Sequence, residues 1–228
     1  MFHMLKKAAS KYADKPYLST KGDKGWERTS FSEAEKKARI LACSLIEIGL
    51  KKGGKVAILS EAKTDWIITE FAALYAGGIS VPLSIKLLPE EIPFRINHSD
   101  TAFFAVSENT LEKVISQWDK YGNEDLKLIV LDRPSEKIRK ICQSYGFDAR
   151  QLLFIKDLYR LGEANRELHN PAIEALEDSI EEDDVVTISY TSGTTGNPKG
   201  IMLTHLNYFS NSHAAVNTFQ IKEGIATL

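Results

Sequence analysis

Short apolar runs alternate with helix-patterned stretches along most of this chain, and that alternation narrows the possible folds more than anything else in it. Residues 55–60 (KVAILS), 79–82 (ISVP), 101–106 (TAFFAV) and 126–131 (LKLIVL) are rich in branched and aromatic side chains, the composition of buried strands. Stretches with helical spacing follow three of them, at 65–75, 110–118 and 135–145. The first is apolar almost all round (Trp66, Ile67, Ile68, Phe71, Leu74) and is expected to be buried, with Gly77-Gly78 ending it. Strands buried on both faces and joined by helical crossovers pair in parallel. The expected class is therefore α/β, a mostly parallel sheet with helices on both faces.

The remaining segments fit around that frame. Residues 17–20 and 25–30 flank a turn at 21–24 and read as a hairpin. Ser30 or Ser32 then caps a helix whose apolar face is Ala34, Ala38, Leu41, Ala42, Leu45 and Ile48, and Gly49 ends it. Pro89-Glu90-Glu91 resembles a helix start, but Pro93 removes an N–H just where the ladder should begin. Residues 154–175 give a mixed, mainly helical signal. Residues 174–184 carry seven acids in eleven positions and are expected to be a solvated connection.

Composition excludes several classes of partner. With 29 basic and 31 acidic residues the net charge is −2, which argues against nucleic acid or an acidic membrane as the main partner. Cys43 and Cys142 lie far apart and no CxxC or Cys/His spacing exists, so two reduced cysteines in a cytoplasmic protein are expected, and no zinc site. The five histidines show no metal-ligand spacing. Lysines interrupt the first residues before an apolar run develops, unlike a secretory signal, and no stretch approaches the ~20 apolar residues of a membrane span. A membrane would be met only peripherally.

Chemistry concentrates in residues 190–200, YTSGTTGNPKG. Glycines let backbone N–H groups converge into a concave nest for anions, hydroxyls add donors that rotate to suit phosphate oxygens, and a lysine adds a mobile charge. The flanks, 185–188 and 201–204, read as strands, so the loop sits in a strand-loop-strand hairpin over 185–204. A Walker A loop needs Gly before its lysine, Ser or Thr after it, and then a helix. Here Pro198 and Gly200 flank Lys199 and a strand follows, which disfavours a P-loop kinase or GTPase. Tyr190 stands where a hydrolase nucleophile elbow around Ser192 would need glycine.

Residues 190–205, YTSGTTGNPKGIMLTH, resemble the signature of the adenylate-forming (AMP-binding) enzymes over sixteen unbroken positions. That superfamily comprises acyl-CoA synthetases, peptide-synthetase adenylation domains and luciferases. Residues 28–33, 53–58, 76–83 and 88–92, with Trp66, are similar to the family in the same order, although Gly54 stands where aspartate is common and Pro93 is unusual. The chain is most like a fatty-acid or long-chain acyl-CoA synthetase. The resemblance implies that a carboxylate attacks the α-phosphorus of ATP to give acyl-AMP and pyrophosphate, after which coenzyme A displaces AMP. It implies Mg²⁺ as the metal. It implies that Thr191, Ser192, Gly193, Thr194, Thr195 and Gly196 wrap the phosphates, and that Lys199 pairs with the departing pyrophosphate as the catalytic cation. His205 and Asn207, in the motif's tail, read as opening a helix.

The family's later segments have no counterpart here. These are an aromatic-Gly-x-Thr-Glu stretch whose glutamate serves Mg²⁺, a ribose-binding aspartate, and a small C-terminal domain with its own lysine. Only 28 residues follow Gly200. The expectation is residues 1–228 as the N-terminal portion of an adenylation domain, with the C-terminal domain absent, inactive alone, and prone to self-associate through an incomplete sheet edge. Two alternatives remain open: a non-catalytic nucleotide- or phosphate-binding module, and an amino-acid- or aryl-acid-activating member of the superfamily.

Overall fold

Side chains alternate across a strand, and here the alternation sorts the chain into two cores. Val56, Ile58, Phe103, Ala105 and Ile129 join one core, while Ala57, Leu59, Phe104, Val106, Leu128 and Val130 join the other. These residues come from strands β3 (Lys55–Leu59), β5 (Thr101–Val106) and β6 (Lys127–Val130). The computed structural model describes residues 2–22, 25–191 and 198–221.

Helices α1 (Phe2–Tyr12), α2 (Phe31–Glu47), α3 (Thr64–Tyr75), α7 (Ile155–Ala164) and α8 (Arg166–Asp178) cover the first core. Helices α4 (Ile92–His98), α5 (Glu108–Ile115) and α6 (Glu136–Ser144) cover the second. With β4 (Ile79–Pro82), β7 (Leu152–Phe154), β8 (Val185–Thr191) and β9 (Lys199–Thr204), the sheet has seven strands in the order β7-β6-β5-β3-β4-β8-β9. Every neighbouring pair is parallel except β8 and β9, as the α/β alternation requires. A separate antiparallel pair, β1 (Pro16–Gly22) and β2 (Gly25–Ser30), forms the early hairpin, and the two turn residues Asp23 and Lys24 lie outside the described residues.

Ser30 is the residue that caps α2. Its hydroxyl accepts the Glu33 N–H at 3.2 Å, and Glu33 accepts the Ser30 N–H at 2.9 Å. Gly162 on α7 marks a close helix crossing, because a Cβ there would collide with the Ile40 carbonyl of α2.

Several expectations are corrected. Pro93 interrupts nothing: a 3-10 turn, Pro89–Glu91, ends before α4 opens at Ile92, so the proline falls in a first turn whose N–H needs no partner. Helix α3 is only partly buried, with Trp66, Ile67 and Phe71 half-exposed under α2 and its neighbours. Helix α5 runs Glu108–Ile115, and a separate 3-10 turn, Trp118–Lys120, follows it. Helix α1 and strand β7 had no clear sequence signal.

The acidic run is not wholly a solvated connection. Its first half is helical, and Glu177 is 4% exposed. Lys6 Nζ donates to Glu177 Oε2 at 2.6 Å, and the Arg39 guanidinium bonds the other oxygen. One carboxylate thus joins α1, α2 and α8. Residues 222–228 lie outside the described residues.

Candidate functional site

The hairpin that carries the loop is set by its ladder. Thr187 pairs with Leu203, Ile188 with Met202, Ser189 with Ile201, Tyr190 with Gly200, and Thr191 with Lys199. The two ends of the loop, Thr191 and Lys199, therefore face each other across the last rung. Ser192, Gly193, Thr194, Thr195 and Gly196 lie outside the described residues. Both Thr191 and Lys199 are exposed, and among the described residues the lysine has no acidic partner. An ammonium at a loop mouth with no carboxylate beside it is available to an anion.

Strand β9 continues from Lys199 to Thr204, and only then does α9 (His205–Thr218) begin. The loop therefore ends on a strand and not on a helix N-terminus. Thr204 and Asn207 form the helix cap: the Thr204 hydroxyl accepts the Asn207 N–H at 3.3 Å, and the Asn207 side chain accepts the Thr204 N–H at 2.9 Å. His205 opens α9, and its backbone N–H bonds the Asp184 carbonyl at 3.1 Å. Burial pushes its imidazole down to about 4, so it is neutral at pH 7 and adds no charge to the site. It lines a cavity of about 140 Å³ with Lys52, Gly77, Ile180 and Asp184, at the end of β8 opposite the loop.

A parallel sheet of this order has its switch point at the C-terminal ends of β3 and β5, a common ligand position. There Lys63 Nζ donates to both Asp132 oxygens at 2.8 Å, and Asp132 Oδ2 also accepts the Glu108 N–H at 2.7 Å. These charges satisfy one another, which leaves the β8–β9 loop as the better anion site. No group of three or more His, Cys, Asp or Glu among the described residues could hold a metal ion, so those residues offer no built Mg²⁺ site. No helix among them is long and apolar enough to cross a membrane.

Sequence reasoning missed what lies behind Tyr190. The Tyr190 hydroxyl donates to the Arg95 carbonyl at 3.1 Å, and His98 Nδ1 lies 2.9 Å from the tyrosine hydroxyl oxygen. The Arg95 guanidinium stands 5.9 Å from the centre of the tyrosine ring. Partial burial raises the Tyr190 hydroxyl above its usual value, so it stays protonated and able to donate. Gly200 seats the ring: a Cβ there would lie 3.4 Å from Tyr190 Cζ and 3.0 Å from Ile188 Cγ2. Its glycine serves close packing as well as the loop. Nothing in the local pattern links His98 to Tyr190, because 92 residues separate them.

With this geometry in place, the chain matches the family model described as "AMP-binding enzyme" over residues 5–226. It belongs to that family, the adenylate-forming acyl-CoA ligases and their kin. It is 30% identical to fatty acyl-CoA synthetase A of Dictyostelium discoideum over 83% of this chain and 26% of that protein. It is 31% identical to 4-hydroxybutyrate–CoA ligase 2 of Metallosphaera sedula over 85% of this chain and 33% of that one. Among solved structures, a long-chain-fatty-acid-CoA ligase (FadD1) from Archaeoglobus fulgidus superposes with a TM-score of 0.69 at 20% identity, over 96% of this chain and 39% of that chain. The shared fold is the N-terminal part of these enzymes. The chain spans about a quarter to a third of the length of the curated relatives it matches.

Proposed function

We propose that residues 1–228 are the N-terminal portion of the adenylation domain of an ATP-dependent acyl-CoA synthetase, and that the 191–199 loop is its pyrophosphate grip. The full-length enzyme would activate a carboxylic acid as acyl-AMP and pass it to coenzyme A. The acid we favour is a long-chain fatty acid. The Dictyostelium relative is named as a fatty acyl-CoA synthetase, and residues 88–106 resemble the long-chain type. The Metallosphaera relative, named for a short hydroxy acid, keeps shorter substrates as the second choice.

The observation that carries this reading is the Thr191–Lys199 rung, with an exposed lysine that has no acidic partner among the described residues, at the mouth of a Gly/Thr loop. An anionic carboxylate approaching a polyphosphate is repelled, and charge builds on the leaving pyrophosphate. Lys199 and the donors Thr191, Ser192, Gly193, Thr194 and Thr195 would bind that group, with Gly196 allowing close backbone approach. Mg²⁺, when bound, would neutralise phosphate charge. Among the described residues, no group of three or more His, Cys, Asp or Glu could hold it.

Calorimetry with magnesium pyrophosphate tests the grip. Weak saturable binding, weakened at least about tenfold by Lys199→Ala, is expected. No binding at millimolar ligand would overturn it. ATP–pyrophosphate exchange by the 228-residue chain should be absent, because the relatives carry most of their length outside the matched part. Exchange that Lys199→Ala abolishes would show that the chain is catalytic by itself.

A second reading concerns assembly. Among the described residues β9 pairs only with β8, and α9 has no buried residue. Ile201, Met202, Leu206, Phe209 and Phe219 are exposed, and Lys199 is the only lysine, arginine or carboxylate in 199–221. A second copy could add its own β9 edge antiparallel to this one without charge repulsion. Sedimentation should show a dimer that Met202→Lys dissociates. A monomer at every concentration would refute this.

A further inference from the structure

The phosphate loop is anchored from outside its own hairpin. A phenol carries one proton, and the Tyr190 hydroxyl places it on the Arg95 carbonyl, 3.1 Å away. The 2.9 Å contact with His98 must then run the other way, from a protonated Nδ1 to the tyrosine oxygen. A directed relay results, from imidazole N–H to phenol O–H to backbone carbonyl. It joins the last turn of α4 to the penultimate residue of β8. The His98 ring is held from both sides. Phe94 stacks on it at 5.3 Å, and Tyr190 meets it edge-on at 5.8 Å. Tyr190 in turn lies over Gly200, its partner in the ladder. One tyrosine therefore touches both strands one rung below the loop mouth.

We propose that His98 is a positioning residue for the mouth of the β8–β9 loop, acting through Tyr190 to hold Thr191 and Lys199 in register for a polyphosphate. This rests on the pyrophosphate grip proposed above. Without the tie, β8 and β9 at this end are held chiefly by each other, since the β4–β8 ladder contains only the Ser80–Thr187 pair. The twist of the hairpin end, and with it the reach of Lys199, would then be set loosely. Protonation of His98 does not break the relay, because imidazolium still donates from Nδ1.

The test is a pyrophosphate titration of five chains, followed by phosphorus NMR: wild type, His98→Ala, His98→Asn, Tyr190→Phe and the His98→Ala/Tyr190→Phe double variant. His98→Ala and Tyr190→Phe should each weaken binding about fivefold, and together no more than either alone, because they break one relay. His98→Asn should restore near-wild-type affinity, since its amide N–H can donate from nearly the position of Nδ1. Thermal unfolding of each variant shows whether it is folded. Nitrogen NMR of the free wild-type chain should show His98 as the Nδ1–H tautomer. Unchanged affinity in folded His98→Ala, or an Nε2–H tautomer, would overturn the positioning role while leaving the grip intact. Absence of binding by wild type would overturn both.

Discussion

Strands β5 and β9 belong to one sheet but meet different surroundings. All but one residue of β5 are buried, and it has parallel neighbours on both sides and helices on both faces. In β9 no residue is buried, and the helix that follows buries none of its side chains either. The conformation at the loop mouth is held by a polar tie, the His98–Tyr190–Arg95 relay, while the Thr204–Asn207 cap holds the opposite end of β9. One part of the molecule is stabilised by non-directional burial. The other is positioned by directional bonds, and it is the part that carries the proposed pyrophosphate grip.

Substitutions can break or sharpen that contrast. The largest effect should come from Phe104→Ala, which empties a fully buried site between β5 and the second helix layer. A loss of about 3–5 kcal/mol in urea denaturation is expected, and a loss under about 1 would mean that the core is not where the burial places it. Glu177→Ala should cost less, about 1–3 kcal/mol, because it removes the bonds from Lys6 and Arg39 while Arg39 keeps Glu35 at 3.8 Å and Glu174 at 3.9 Å. Equal stability of the variant would show the pair to be incidental. Thr204→Ala removes only a helix cap, and about 1 kcal/mol should be lost, confined to amide-exchange protection in α9. Met202→Ala, on the exposed strand, should change monomer stability by no more than about 0.5 kcal/mol.

A fifth prediction is one of sign. Burial under the sheet raises the Glu70 carboxyl above its ordinary value of 4.5, and the Ser80 hydroxyl donates to it at 3.2 Å. A group whose folded value is raised contributes stability below its unfolded value and loses it as pH rises through the folded one. Glu70→Gln should therefore stabilise the chain at pH 7 and cease to do so once the pH falls below 4.5. Equal gains at both pH values would remove ionisation as the cause.

The central strands and the helices α2, α3 and α6 were legible because their signals are local: period-two and helical hydrophobic spacing, a Ser30 cap and Gly77-Gly78 as a stop. The family was legible because sixteen consecutive residues, 190–205, resemble its signature. Helix α1 was not, since its anchoring depends on Glu177, 171 residues beyond Lys6. Strand β7 is three residues long, too short for a period to register. The acidic run misled for a related reason: charge density says where water is welcome, but not that Arg39 and Lys6 wait for one of those carboxylates.

By itself, then, the sequence determined the parallel α/β class, the composition of the 190–200 loop and the family, because each rests on residues adjacent in the chain. Only the tertiary structure decided which strands are neighbours, which acid is buried, and that His98 and Arg95 stand behind Tyr190. Those facts depend on contacts between residues tens to hundreds of positions apart. Such contacts form only when the sheet order is complete, and no local pattern encodes them.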